Sequence, residues 1–300
     1  MNMKRRDFIA RSAVGLGGLV CGASSLTAAD KPTFYDPYET VPLGKTKMNW
    51  TRFCLGTGMS GGNRQSNHTR MGKEKFETLI NGAYDRGVRV FDLADLYGTH
   101  PFLIPALKTI PRDKYSVITK IWFRPGGIPE PERPDADVVV ERFLKEIKTD
   151  YLDLVLLHCV TADKWNEDLR KQMDLLAKMK DKGLIRAHGV SCHSLGALKT
   201  AAAEPWVDSV HARINPDGIS MDDKPENVIP VLKQIHAAGK GVVGMKIAGE
   251  GKYRNNEEKK NESARFVLGL GCVDILNIGF EKQEEIDDFA DRVKKVPKAA

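Results

Sequence analysis

Short apolar runs alternate along the chain with longer stretches in which apolar residues recur every three or four positions. The runs cover residues 52–56, 88–94, 115–122, 151–158, 185–191, 208–215, 241–247 and 273–280, each with the length and β-branched content of a buried strand. Between the third and fourth runs, Val140, Phe143, Leu144 and Ile147 fall on one face of a helix. After the fourth, Leu169, Met173 and Leu176 repeat the pattern until Gly183 stops it. Eight such units with parallel strands predict a closed α/β structure, a (β/α)8 TIM barrel, over residues 41–300. It opens with a short β-hairpin over residues 41–49, after an extended linker over 30–40. An open doubly wound sheet is disfavoured because the first turn, residues 56–62, is glycine-rich without dinucleotide-fingerprint spacing.

In such a barrel, chemistry belongs at the C-terminal ends of the strands. Polar residues at those ends are Asp92 and Tyr97, Lys120, His158, then Ser191, Cys192 and His193, and finally His211, Arg213 and Asn215. Taken singly, each has an ordinary structural role: Asp92 caps a turn, Tyr97 packs on the rim, Lys120 snorkels, His158 is a satisfied buried imidazole. Their convergence on one mouth points instead to a site.

The run Phe91-Asp92-Leu93-Ala94-Asp95-Leu96-Tyr97-Gly98, with Lys120 and His158 ending the next two strands, resembles the aldo-keto reductases over about residues 41–296. By that resemblance Asp92, Tyr97, Lys120 and His158 are catalytic, and the reaction is hydride transfer from NADP or NAD to a small carbonyl substrate. Tyr97 supplies the proton as general acid, Lys120 is expected to lower its pKa, Asp92 to balance the lysine, and His158 to orient the carbonyl oxygen. Trp122, two residues beyond the lysine, and Leu96 are expected to wall the substrate pocket. Loops 161–167 and 248–260, with Trp165 and Tyr253, are expected to shape it.

Gly56, Thr57, Ser191, Cys192, His211, Lys246 and Lys282 are the expected cofactor-binding residues. Here the chain departs from the family: Cys192 replaces an Asn, His211 a Gln and Ile214 a stacking Tyr, while Gly279, Phe280, Glu285 and Phe289 stand where phosphate-holding residues are usual. Lys282 is the one cation of that stretch, and Glu281, Glu284 and Glu285 oppose a phosphate. NAD and NADP are therefore both expected. Segments 183–193 and 241–246 are most similar to a bacterial branch of the family, and no internal iron–sulfur relay is expected.

Residues 1–29 form a distinct leader. Arg5-Arg6, Phe8, a Gly/Ala-rich apolar middle and Thr27-Ala28-Ala29 resemble a twin-arginine export signal, implying the export machinery as a partner and a periplasmic or exported location. The glycines interrupting this middle make it a poor permanent membrane anchor. The chain carries +6, and Lys4, Arg5, Arg6 and Arg11 against Asp7 leave about +3 for the rest, with no basic cluster to bind nucleic acid. Five cysteines without a CxxC pair exclude zinc ribbons and cluster ligand runs. Two readings compete with the reductase. One is a metal-dependent barrel enzyme using His158, Cys192 and His193, with a Cys159–Cys192 disulfide as a variant. The other is an exported, non-catalytic ligand-binding barrel.

Overall fold

Val41 faces Trp50 across an antiparallel hairpin of β1 (Thr40–Pro42) and β2 (Asn49–Thr51), the first elements of a computed structural model that describes residues 32–298. Residues 1–29, where a twin-arginine export signal is expected, lie outside the described residues. Eight parallel strands follow: β3 (Phe53–Gly56), β4 (Val90–Asp92), β5 (Ser116–Ile121), β6 (Leu152–Val160), β7 (Ile185–Cys192), β8 (Ser209–Arg213), β9 (Gly241–Met245) and β10 (Ile275–Gly279). They pair in sequence order, and β10 returns to pair with β3, closing the barrel. Each predicted run thus overlaps one barrel strand, with β6 and β7 running past the expected ends to Val160 and Cys192.

Strand alternation divides the apolar residues into two layers. Outward-facing Phe91, Val117, Val155 and Leu157 pack with Phe143, Met173 and Leu176 of the surrounding helices. Inward-facing Cys54, Val90, Ile118, Leu154, Leu156, Val243 and Ile275 form an interior floor with Leu43, Met48 and Trp50 from the hairpin. Those three hairpin residues are at most 3% exposed, so the hairpin plugs the barrel, each side chain contributing about 1.5–3 kcal/mol.

The helix Ala136–Ile147 buries Val139, Val140, Phe143 and Ile147 and ends at Lys148 in the left-handed region. The helix Arg170–Asp181 buries Met173, Leu176 and Met179, and Gly183 follows with φ of +74°. No helix among the described residues is long and apolar enough to cross a membrane.

Candidate active site

The alternation that fills the floor also sets the layer above it. Two residues beyond Val90, Ile118, Leu156 and Ile275 stand Asp92, Lys120, His158 and Asn277. In register Asp92 pairs with Ile118 and Lys120 with Leu156, so each group stands two residues further along its strand than the one before, and the long Lys120 side chain reaches back to Asp92.

Lys120 is fully buried; its Nζ donates to Asp92 Oδ1 at 2.5 Å and to the Leu93 carbonyl at 2.9 Å. Asn277 Nδ2 donates to Asp92 Oδ2 at 2.7 Å. Burial alone would raise the Asp92 pKa, but the Lys120 charge and hydrogen bond together with His211 outweigh it and hold the carboxyl well below its usual range. His211 lies beneath, its Nε2 3.6 Å from Asp92 Oδ1, and neither ring nitrogen has a hydrogen-bond partner. Burial keeps that imidazole low despite the nearby carboxylate.

Tyr97 ends the short 3₁₀ turn Asp95–Tyr97, which closes on Gly98 in the left-handed region. Asp95 anchors the turn by accepting from Arg64 Nε at 2.9 Å and Arg142 Nη2 at 2.7 Å. The Tyr97 ring packs on glycines: a Cβ at Gly58 would lie 2.3 Å from its Cζ. Its hydroxyl is 3.3 Å from His158 Nε2, and Lys120 Nζ is 4.9 Å from the ring centre. The Tyr97 pKa is raised rather than lowered as the sequence suggested: burial pushes the phenol well above 10, and Asp92 adds to the shift. Asp92 neutralises the lysine, so the phenol keeps its proton at neutral pH. Burial, then the Lys120 charge, hold His158 well below the usual imidazole range, so it is neutral.

These groups open on a cavity of about 520 Å³ that continues past Gly56 and Asn277 to Arg254, Lys260 and Glu285. Leu96 and Lys246 line it, and Trp122 packs edge-on to His158 at 5.4 Å and joins Leu96 in an apolar cluster. Other expected cofactor residues do not line the cavity. Thr57 Oγ1 donates to the Asp92 carbonyl, tying the ends of β3 and β4. Ser191 Oγ accepts from the Cys159 amide at 2.8 Å, and Cys192 alternates outward into the helix-facing layer. Lys282 is exposed at the N-terminus of the helix Gln283–Val293. Besides Lys246, two further cations reach the cavity: Arg254, which binds Glu281 and Glu285, and Lys260, which binds Asp288 at 2.8 Å. Sequence reasoning missed both, since no strand places them. It also missed Asn277, whose signal was a polar residue interrupting the last apolar run.

Other expectations are corrected. Trp165 is 2% exposed and donates to the Ala197 carbonyl, so it packs under the barrel helices and not in the cavity. Tyr253 is buried and donates to Asp217. Cys159 and Cys192 are free thiols, and among the described residues no three His, Cys, Asp or Glu side chains are grouped to hold a metal.

The residues fit a nicotinamide dinucleotide. The cavity joins a protonated phenol to three cations, Lys246, Arg254 and Lys260, and Gly56, Gly58, Gly61 and Gly279 line its wall without side chains. Fold and site together define a (β/α)8 barrel with a candidate active site at the C-terminal ends of its strands. The Aldo/keto reductase family model matches residues 52–291, and the chain belongs to that family. It is 28% identical over 205 residues to an aldo-keto reductase of Bacillus subtilis, covering 65% of this chain and 58% of that protein. It is 25% identical over 181 residues to a probable aldo-keto reductase of Glycine max, covering 58% of this chain and 50% of that one. The matches therefore span about half to three-fifths of these curated relatives. A solved putative aldo-keto reductase from Pseudomonas aeruginosa shares the fold, with a TM-score of 0.70 at 22% identity over 87% of this chain and 96% of that one.

Proposed function

We propose that the chain reduces a carbonyl compound, an aldehyde, ketone or sugar-like molecule, with hydride from NADPH or NADH and a proton from Tyr97. One observation carries this reading: Tyr97 Oη lies 3.3 Å from His158 Nε2, above the buried Lys120–Asp92 pair, at one end of the cavity. When bound, the cofactor supplies the hydride. Gly56, Lys246, Arg254 and Lys260 would hold it. Tyr97, protonated at neutral pH, donates to the carbonyl oxygen as charge develops there, and neutral His158 orients that oxygen. Lys120 stabilises the phenolate left behind, while Asp92 and Asn277 fix the ammonium. Leu96 and Trp122 exclude water on the substrate side.

The test follows the absorbance of NADPH and NADH over a panel of aldehydes, ketones and sugars. Substrate-dependent loss supports the reading. Cofactor binding without turnover across the panel would overturn it in favour of a ligand-binding barrel. We read residues 1–29 as a twin-arginine leader that brings the enzyme to the export machinery and so to the periplasm or beyond, on the strength of Arg5-Arg6, Phe8 and the small-residue end at Ala29.

A further inference from the structure

Strand β6 breaks its own alternation just after the catalytic layer. Cys159 has a φ of +56°, and the pairing with β7 shifts between Leu157 and Val160. In a regular strand Cys159 would point away from His158; this bulge brings both residues to the same cavity. Cys159 Sγ lies 3.3 Å from His193 Nε2, and His193 lines the cavity too. The other described cysteines lie elsewhere, Cys54 in the interior floor, Cys192 and Cys272 in the outer apolar layer. Beside the pair, His158 is 5% exposed and its Nδ1 has no hydrogen-bond partner, so this stretch of wall carries an unsatisfied polar atom as well as a thiol. The proposed reduction uses neither Cys159 nor His193.

We propose that Cys159 and His193 form a thiol–imidazole dyad that captures an aldehyde in this cavity as a reversible hemithioacetal. This rests on the carbonyl-reductase reading and narrows its substrate class, since thiols add readily to aldehydes and poorly to ketones. Burial pushes the thiol up to about 11, against the pull of Lys120, Arg124, Arg213 and Lys246. Burial likewise holds His193 down to about 3. The resting pair is therefore a neutral thiol beside a neutral base, and reactivity depends on proton transfer during attack. As Sγ forms its bond to the carbonyl carbon, His193 Nε2 takes the thiol proton. The π pair of the carbonyl moves to oxygen, and the proton passes from His193 to that oxygen. Nothing is oxidised or reduced, and the reverse path releases the aldehyde. The adduct places the former carbonyl carbon near the Tyr97–His158 pair while withholding it from reduction, so the dyad acts as a reservoir that slows turnover at high aldehyde.

The experiment is iodoacetamide labelling of the purified full chain, with rates read peptide by peptide. Cys159 should label at least about tenfold faster than Cys54, Cys192 and Cys272. Butanal should protect it saturably, whereas butanone and butanol should not. His193→Gln should slow Cys159 labelling by about a hundredfold, the usual loss for a missing general base. Equal labelling of Cys54, Cys159, Cys192 and Cys272, or equal protection by butanol, overturns the dyad without recourse to any variant. An unchanged rate in His193→Gln overturns the role of the base. The two readings separate cleanly: protection by butanal in a protein that reduces no carbonyl removes the reductase and keeps the dyad. Reduction without protection does the opposite.

Discussion

Asn277 reaches across β3 to donate its amide to Asp92 at 2.7 Å, and it does so over Gly56, where a Cβ would come within 2.7 Å of the Asn277 side-chain oxygen. β10, β3 and β4 are successive barrel neighbours, so the two residues are one strand apart. With both carboxylate oxygens bound, one by Lys120 and one by Asn277, Asp92 has a single orientation available.

Asn277→Leu should therefore loosen Asp92 and lower kcat by about tenfold, with KM little changed, because one charge-assisted hydrogen bond is worth about 1.5–3 kcal/mol and part of it is recovered by relaxation. Asn277 is a positioning residue, so its loss should also shift the pH profile of kcat. Gly56→Ala should mimic it. A wild-type profile in Asn277→Leu would contradict this role.

Tyr97→Phe should abolish carbonyl reduction while leaving cofactor affinity nearly intact. Loss of one proton donor costs about 10² to 10⁴ in rate. The comparison is kcat against the dissociation constant for reduced cofactor, and a residual rate equal to wild type would remove Tyr97 from the chemistry.

Arg254 neutralises Glu281 and Glu285 at the far end of the cavity. Arg254→Gln leaves those carboxylates unopposed and should weaken NADPH about tenfold or more relative to NADH, as the extra phosphate is the group that meets their repulsion. Paired dissociation constants at one low ionic strength decide it. Equal weakening of both cofactors would place Arg254 away from that phosphate.

His188 stacks on Trp206 with ring centres 4.1 Å apart, and burial lowers its pKa from 6.5 to about 4. In the unfolded chain it takes up a proton near its ordinary value, while in the folded barrel it stays neutral until the lower one. The stability it contributes is thus fully present above about pH 6.5 and declines as pH falls toward 4, by up to about 1.4 kcal/mol per pH unit. Urea midpoints at neutral and mildly acid pH should show this slope, and His188→Gln should flatten it.

On the proposed export reading, replacing Arg5 and Arg6 together by Lys should leave a folded precursor in the cytoplasm, because a twin-arginine pair is what that machinery recognises. Cell fractionation with an antibody to the mature chain measures this. Undiminished periplasmic protein would refute the export reading.

Much of this site was legible in the sequence for a local reason. A strand has a period of two, so the apolar run fixes which polar residue at its end faces inward, and that logic alone turns Asp92, Lys120 and His158 into the barrel. Asn277 obeyed the same rule and could have been read the same way. The helix periodicity around Val140 and Phe143 likewise required nothing beyond the chain itself. The bulge at Cys159 had no such signal, since it depends on the register of β6 against β7, which is a relation between segments. One extra residue there reverses the facing of Cys159, and with it the pairing of the thiol with His193 rather than with Cys192. The loop that brings Arg254 to Glu281 and Glu285 is similarly unconstrained by periodicity, so the charge balance of the far end of the cavity was decided by packing. Sequence by itself determined the barrel and the facing of its regular strands, because both follow from local alternation. Tertiary structure alone decided the direction of the Tyr97 shift and the partners of Cys159 and Arg254, because burial and contact are set by residues distant along the chain.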